Sequence, residues 1–208
     1  MIRHAARIPE AQLLRVAGAR VCDLPTAAVQ CAASLPACDG VVVVSGALRA
    51  LSRFGAVGRA EGRRREETWR RHMTALLDRS GPGARNCRRA RAVIGAADAA
   101  CESVAERILL WILRSRGFHV ETQATYRVNG RVRRVDFFIR RPGRLPDVVI
   151  EFDGIGKYGD TLPLVLRSVW EEKRRQMDLE SLGLVFLRFV MRRCGMVRAP
   201  RACRALAV

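Results

Sequence analysis

The chain has 208 residues, 49% hydrophobic and 28% charged, enough for one large domain or two small ones. A formal net charge of +18 and a pI near 11.3 favour a polyanionic partner, nucleic acid or an anionic membrane surface, although GC-rich coding also raises arginine content. The longest apolar run, GVVVVSGAL, is far too short to span a bilayer and no signal-peptide pattern opens the chain, so no membrane span is expected and the expected compartment is the cytoplasm.

In chain order, residues 1–95 are rich in Ala, Leu and Arg, with helical patterning in EAQLLRVAG, LPTAAVQCAASL and GALRALSRFG. This half is expected to be mostly α. In RRREETWRR, Glu66 and Glu67 stand four residues before Arg70 and Arg71, the favourable order for helix ion pairs. A solvated helix face is the expected reading, with nucleic-acid contact as the alternative. RSGPGARN, residues 79–86, reads as a turn-rich linker.

The second half carries sharper signals. Ser103-x-x-Glu106 is a capping-box pattern opening VAERILLWILRSRG, a helix predicted to stop at Gly117. FHVETQATYRV alternates as a strand, Asn129-Gly130 is a hairpin turn, and RVRRVDFFI returns. RPGRLP makes the next turn, DVVIEFD the third strand, LRSVWEEKRRQMDLESLG a helix ending at Gly183, and LVFLRFV a last strand. The predicted order is α-β-β-β-α-β, an α/β domain over residues 96–190 followed by a basic tail, 191–208.

Two acids end a strand that otherwise belongs in a core. In VVIEFD, Glu151 and Asp153 point to one face, about 7 Å apart, while Phe152 points to the other. A symmetric hairpin centred between Gly143 and Arg144 places Asp136 directly opposite Glu151. Facing like charges destabilise a strand pair unless something compensates. A divalent cation, Mg²⁺ or Mn²⁺, would do so, since Mg²⁺ commonly takes one or two protein carboxylates and completes its shell with water and phosphate oxygens. The alternative is pairing with abundant neighbouring arginines.

Other residue types say less. Seven cysteines (22, 31, 38, 87, 101, 194 and 203) form no C-x-x-C pair and have no histidine at finger spacing, so they are expected to be small buried thiols. The three histidines are scattered and make no triad. Only two of the 38 Lys and Arg residues are lysine, Lys157 and Lys173. Both follow the acidic strand, where a compact ammonium could orient a water or stabilise developing charge.

The helix with Glu106, the Asp136 strand, the Glu151-x-Asp153 strand and their order resemble the PD-(D/E)XK nuclease superfamily, of restriction-endonuclease-like fold. More narrowly, RVDFFI, VVIEFDGIGKYG, WEEKRR and LRF resemble the very-short-patch-repair-endonuclease-like domain found at the C-terminus of AbiEi-antitoxin-like proteins, and RVCDLPTAAVQCAASLPACDGVVVVSGALR resembles the helical region preceding it. The resemblance covers roughly residues 20–190. It implies a restriction-endonuclease-like core and hydrolysis of phosphodiesters, DNA first, with Mg²⁺ or Mn²⁺.

By this resemblance Asp136 and Glu151 are the central metal ligands, Glu106 is an additional acid that could equally be only the cap partner of Ser103, and Asp153 is a further ligand or water-orienting group. Asp153 stands where the superfamily carries a lysine, and Lys157 or Lys173 is the candidate replacement. Arg133, Arg134, Arg174 and Arg175 are the expected nucleic-acid contacts, and Gln123 either touches substrate or only the sheet edge. The alternative is a catalytically inactive DNA-binding antitoxin or regulator of AbiEi-like type. A third reading is a partner within a toxin-antitoxin pair, its positive charge meeting an acidic toxin-like protein.

Overall fold

The computed structural model describes residues 8–55, 58–79, 86–153 and 162–190, and within them all side chains but those of residues 153, 162–169, 172 and 190. It is a mixed α/β chain of two compact units, Met1–Trp111 and Ile112–Val208, the division falling inside the helix α5, Val104–Ser115. Among the described residues no helix is long and apolar enough to cross a membrane.

The first unit opens with a hairpin, where EAQLLRVAG was expected to be helical. After a single 3₁₀ turn, Glu10–Gln12, strand β1 (Leu13–Val16) pairs antiparallel with β2 (Ala19–Cys22). The reason is the turn: Ala17 and Gly18 both have positive φ, 47° and 80°, the pattern of a two-residue type I′ turn whose twist matches paired strands. A helix cannot pass through two such residues.

Four helices follow: α1 (Leu24–Ser34), α2 (Ala37–Ser52), α3 (Arg59–Arg79) and α4 (Cys87–Ala96). Asp23 caps α1 by accepting from the Thr26 N–H at 2.8 Å. The apolar run noted in the sequence lies in α2, where Val41, Val44 and Leu48 are fully buried among Ala28, Ala32, Met73, Leu77, Val93 and Ile94. Gly40 permits this closeness, because a Cβ there would stand 3.2 Å from Val93 Cγ1 and 3.5 Å from the Ala32 Cα. Cys87 and Cys101 are buried thiols, and Cys22, Cys31 and Cys38 are half-buried.

The expected solvated face of RRREETWRR is only partly that. Glu67 is exposed and stands 3.8 Å from Arg71, but Glu66 is 2% exposed. Its carboxylate accepts from Arg63 at 2.7 Å, from Arg70 at 2.6 Å and from the Ala99 N–H at 3.0 Å. Arg63 also reaches Asp98 at 2.7 Å, and Arg70 donates to the Ile94 and Ala97 carbonyls that end α4. The network ties α3 to the segment after α4 and supplies partners that a helix C-terminus lacks within itself.

In the second unit, four strands form a sheet in the order β3 (Val120–Thr122), β6 (Phe137–Ile139), β7 (Val148–Asp153), β8 (Val185–Val190). The first three are antiparallel neighbours, and β8 runs parallel to β7 after the helix α6 (Leu162–Glu180). Each long strand expected on either side of Asn129-Gly130 is broken in two. β4 (Thr125–Val128) and β5 (Arg131–Arg134) form their own ladder, and the interruption falls at Gln123, φ 56°. Hydrogen bonds from Gln123 N to the Asp136 carbonyl and from Val135 N to the Ala124 carbonyl carry one register through the break.

Leu179 of α6 packs with Ala124, Val135, Phe138 and Val149, so α6 covers the sheet face bearing Phe138 and Val149. On the opposite face Phe137, Ile139, Val148 and Ile150 are also buried. A strand buried on both faces reads as a continuous apolar run, as VVI in β7 does. α5 starts at the predicted capping box and ends in a Schellman turn, with Gly117 at φ 84° and Phe118 N bonded to the Leu113 carbonyl.

Candidate functional site

The ladder between β6 and β7 pairs Phe137 with Ile150, Phe138 with Val149 and Ile139 with Val148. One residue further, the same register sets Asp136 opposite Glu151, as the symmetric turn predicts. β7 and β8 place Arg188 beside Glu151, and Gln123 lies beside Asp136 on the other side. Gln123, Asp136, Glu151 and Arg188 thus form one polar row across four strands. Alternation puts this row on the face that α6 covers.

Each acid is held by neighbours. The Asp136 carboxylate accepts from the Phe152 N–H at 2.8 Å through Oδ2, and from Gln123 Nε2 at 3.2 Å through Oδ1. Glu151 is 4% exposed, and its Oε2 accepts from Arg175 Nη2 of α6 at 2.9 Å. Arg175 Nη1 also donates to the Arg134 carbonyl at 3.3 Å. A carboxylate that deep in a protein requires compensation, and the guanidinium provides it.

The remaining predicted residues fall in several places. Glu106, in the first unit, completes the capping box: it accepts from Ser103 N and Oγ and from the Glu102 N–H, and Ser103 Oγ accepts from the Glu106 N–H. Asp153 ends β7 opposite Val190, its side chain outside the described set. Lys157 lies outside the described residues, and Lys173 is exposed on α6. Arg174 and Arg134 are exposed.

Arg133 is engaged within the protein. It donates to Asp178 Oδ2 on α6 at 3.0 and 2.6 Å, while Asn129 reaches Oδ1 at 3.1 Å. The Arg133 hydrogen bond holds the Asp178 carboxyl below its ordinary range, despite some opposing desolvation. Sequence reading missed Asp178 and Arg188, since each is placed by an element far along the chain. It grouped Arg175 with nucleic-acid contacts, whereas here Arg175 partners the acid.

Among the described residues no group of three His, Cys, Asp or Glu side chains gathers to hold a metal ion. The register sets two carboxylates, Asp136 and Glu151, opposite one another, and carboxylate oxygens are the donor type that Mg²⁺ or Mn²⁺ takes. A carboxylate offers about four acceptor positions, of which Asp136 commits two to the protein contacts just described. No family model matches the chain, and neither a curated protein nor a solved structure matches it.

Proposed function

We propose that the Ile112–Val208 unit is a nuclease-like domain of PD-(D/E)XK type that binds nucleic acid, DNA first, and hydrolyses its phosphodiesters with Mg²⁺ or Mn²⁺. The observation that carries this reading is the facing pair, Asp136 and Glu151, in a polar row on the α6-covered face of a mixed sheet. A chain of net charge +18 draws phosphates to such a site. The order α5, β3, β6, β7, α6, β8 fits the superfamily core with a hairpin inserted.

In this reading Asp136 and Glu151 would hold the cation, which would supply Lewis-acid chemistry for hydrolysis of a phosphodiester. The chain's own residues set the geometry. The Phe152 amide and Gln123 fix the Asp136 carboxylate, and the β6–β7 register fixes its distance from Glu151. Arg188, beside Glu151, offers positive charge to a phosphate. Asp153 remains proposed as a further acid, and Glu106 is left as the cap partner of Ser103. The compartment proposed is the cytoplasm.

The test is purified protein incubated with duplex DNA, single-stranded DNA and RNA, with Mg²⁺ or Mn²⁺, and resolved on a gel. Wild type should cut at least one substrate, and Asp136→Asn should not. Cutting that persists in folded Asp136→Asn would place the chemistry elsewhere.

A second reading is favoured by a specific observation. Arg175 already neutralises Glu151, and by the resemblance Asp153 stands where the superfamily would carry a lysine. Both suit a DNA-binding regulator or antitoxin that has lost cleavage and has a toxin-like protein as a second partner. Salt-sensitive DNA binding without metal-dependent cutting would select it.

A further inference from the structure

The buried pair of Glu151 and Arg175 implies a regulation of the site that the facing acids alone do not. Glu151 sits on a central strand with its carboxylate turned toward α6 and nearly removed from water. Arg175 is about a quarter exposed, on the face of α6 that meets the sheet, and its two terminal nitrogens are divided between Glu151 Oε2 and the Arg134 carbonyl. A guanidinium stays charged at any ordinary pH, so Arg175 can release Glu151 only by moving.

We propose that Arg175 is an internal cation that occupies the metal's place on Glu151 and must withdraw before the site takes a divalent ion. This rests on the metal reading given above and adds its control. A metal binding Glu151 in the presence of Arg175 would crowd two cations onto one carboxylate in a partly dry setting, where charges interact strongly. The apparent metal affinity is therefore lowered by the cost of moving Arg175 out. A phosphate is the natural destination, because a guanidinium fork binds phosphate oxygens bidentately. Arg175 then links arrival of the polyanion to opening of the metal site, and the coupling is reciprocal.

The experiment titrates Mn²⁺ alone and follows thermal unfolding, so it needs no catalysis. Wild type, Arg175→Gln, Arg175→Lys and Asp136→Asn are compared. Without metal, Arg175→Gln should melt lower than wild type, since Glu151 loses the positive charge of this guanidinium. With Mn²⁺ it should show the larger rise, half-saturating at a concentration about tenfold or more lower, and Asp136→Asn should show no rise. A residue that only braces the fold would lower the melting temperature and leave the half-saturating Mn²⁺ concentration unchanged. That result would overturn the proposal while leaving the metal site standing. Absence of any Mn²⁺ response in both wild type and Arg175→Gln would overturn both. If Arg175→Gln does not unfold cooperatively, Arg175→Lys is judged by the same half-saturation criterion, because its shorter side chain with a single nitrogen loosens the pair with Glu151 while keeping a cation in place.

Discussion

Arg133 of β5 donates twice to a single carboxylate oxygen of Asp178 on α6, through Nε at 3.0 Å and Nη2 at 2.6 Å. With Asn129 on the other oxygen, this acid fastens the β4–β5 hairpin to the helix that covers the sheet. Arg175 makes the return contact, from α6 to the carbonyl of Arg134.

The pair makes stability depend on pH in a defined direction. The Asp178 pKa is depressed in the folded protein, first by the Arg133 hydrogen bond, from an ordinary value of 3.8. Its contribution is therefore fully present above that ordinary value and is lost as pH falls through the lower, folded one. Asp178→Asn should melt below wild type at pH 6, and the gap should narrow as both are acidified below about pH 4. Melting curves at half-unit steps check this. A gap that widens with acid would reverse the assigned sign.

A second prediction concerns the first unit. Glu66 holds Arg63, Arg70 and the Ala99 amide, and burial works against the Arg63 charge until Asp98 and Glu66 outweigh it and raise its pKa. Glu66→Gln keeps the shape but leaves two cations facing a neutral amide. Breaking a fully buried pair costs about 3–5 kcal/mol. Arg63 and Arg70 are partly exposed, so a loss of about 2–3 kcal/mol in urea unfolding is expected after discounting for solvent. A loss under about 0.5 kcal/mol would mean the network is idle, since surface changes commonly fall in that range.

The fate of Glu66 shows why parts of this chain are legible in sequence and others are not. Signals confined to a few residues carried through: Ser103-x-x-Glu106 capped α5, Asn129-Gly130 turned a hairpin with φ of 49° and 71°, and the symmetric turn around Gly143 set Asp136 against Glu151. In EAQLLRVAG, apolar spacing suits a helix and an alternating strand alike, and the left-handed Ala17 is not announced by its residue type. Partners supplied from afar were invisible. Ala99 lies 33 residues from Glu66, and Arg175 lies 24 from Glu151. Nothing local tells Glu66 from Glu67, yet one is buried and the other is solvated.

The third prediction separates binding from chemistry. Glu151→Gln deletes a negative charge that repels phosphate and also loosens the hold on Arg175, with little change in shape. On the nuclease reading proposed above, it should abolish metal-dependent cutting and preserve or strengthen DNA binding in chelator. Fluorescence anisotropy with a labelled duplex, over a salt series, measures this. Weaker binding by the folded variant would show that the polar row is not where phosphate approaches.

The last prediction assigns the two lysines. Lys173 precedes Arg175 by two positions, and on a helix that spacing turns a side chain about 200° around the axis. Since Arg175 reaches the sheet at Glu151, Lys173 is directed away from it, in keeping with its exposure. It can meet a phosphate backbone from outside but cannot attend the Asp136–Glu151 pair without unwinding α6. Lys173→Arg, which keeps the charge, should therefore leave the single-turnover cleavage rate within about twofold of wild type, or less than 0.5 kcal/mol in the barrier. Lys157 follows the acidic strand by four residues, in the Gly-flanked stretch GIGKYG. On the proposed nuclease reading, in which Lys157 takes the role of the superfamily's lysine, its compact ammonium is needed, and the planar fork of Lys157→Arg should slow cleavage about tenfold, or 1.4 kcal/mol, with DNA affinity unchanged. The two variants are measured side by side, by rapid-quench cleavage and by a binding titration. Slowing by Lys173→Arg but not by Lys157→Arg would contradict the helix geometry, and wild-type rates in both would leave the chemistry to the acids and the metal.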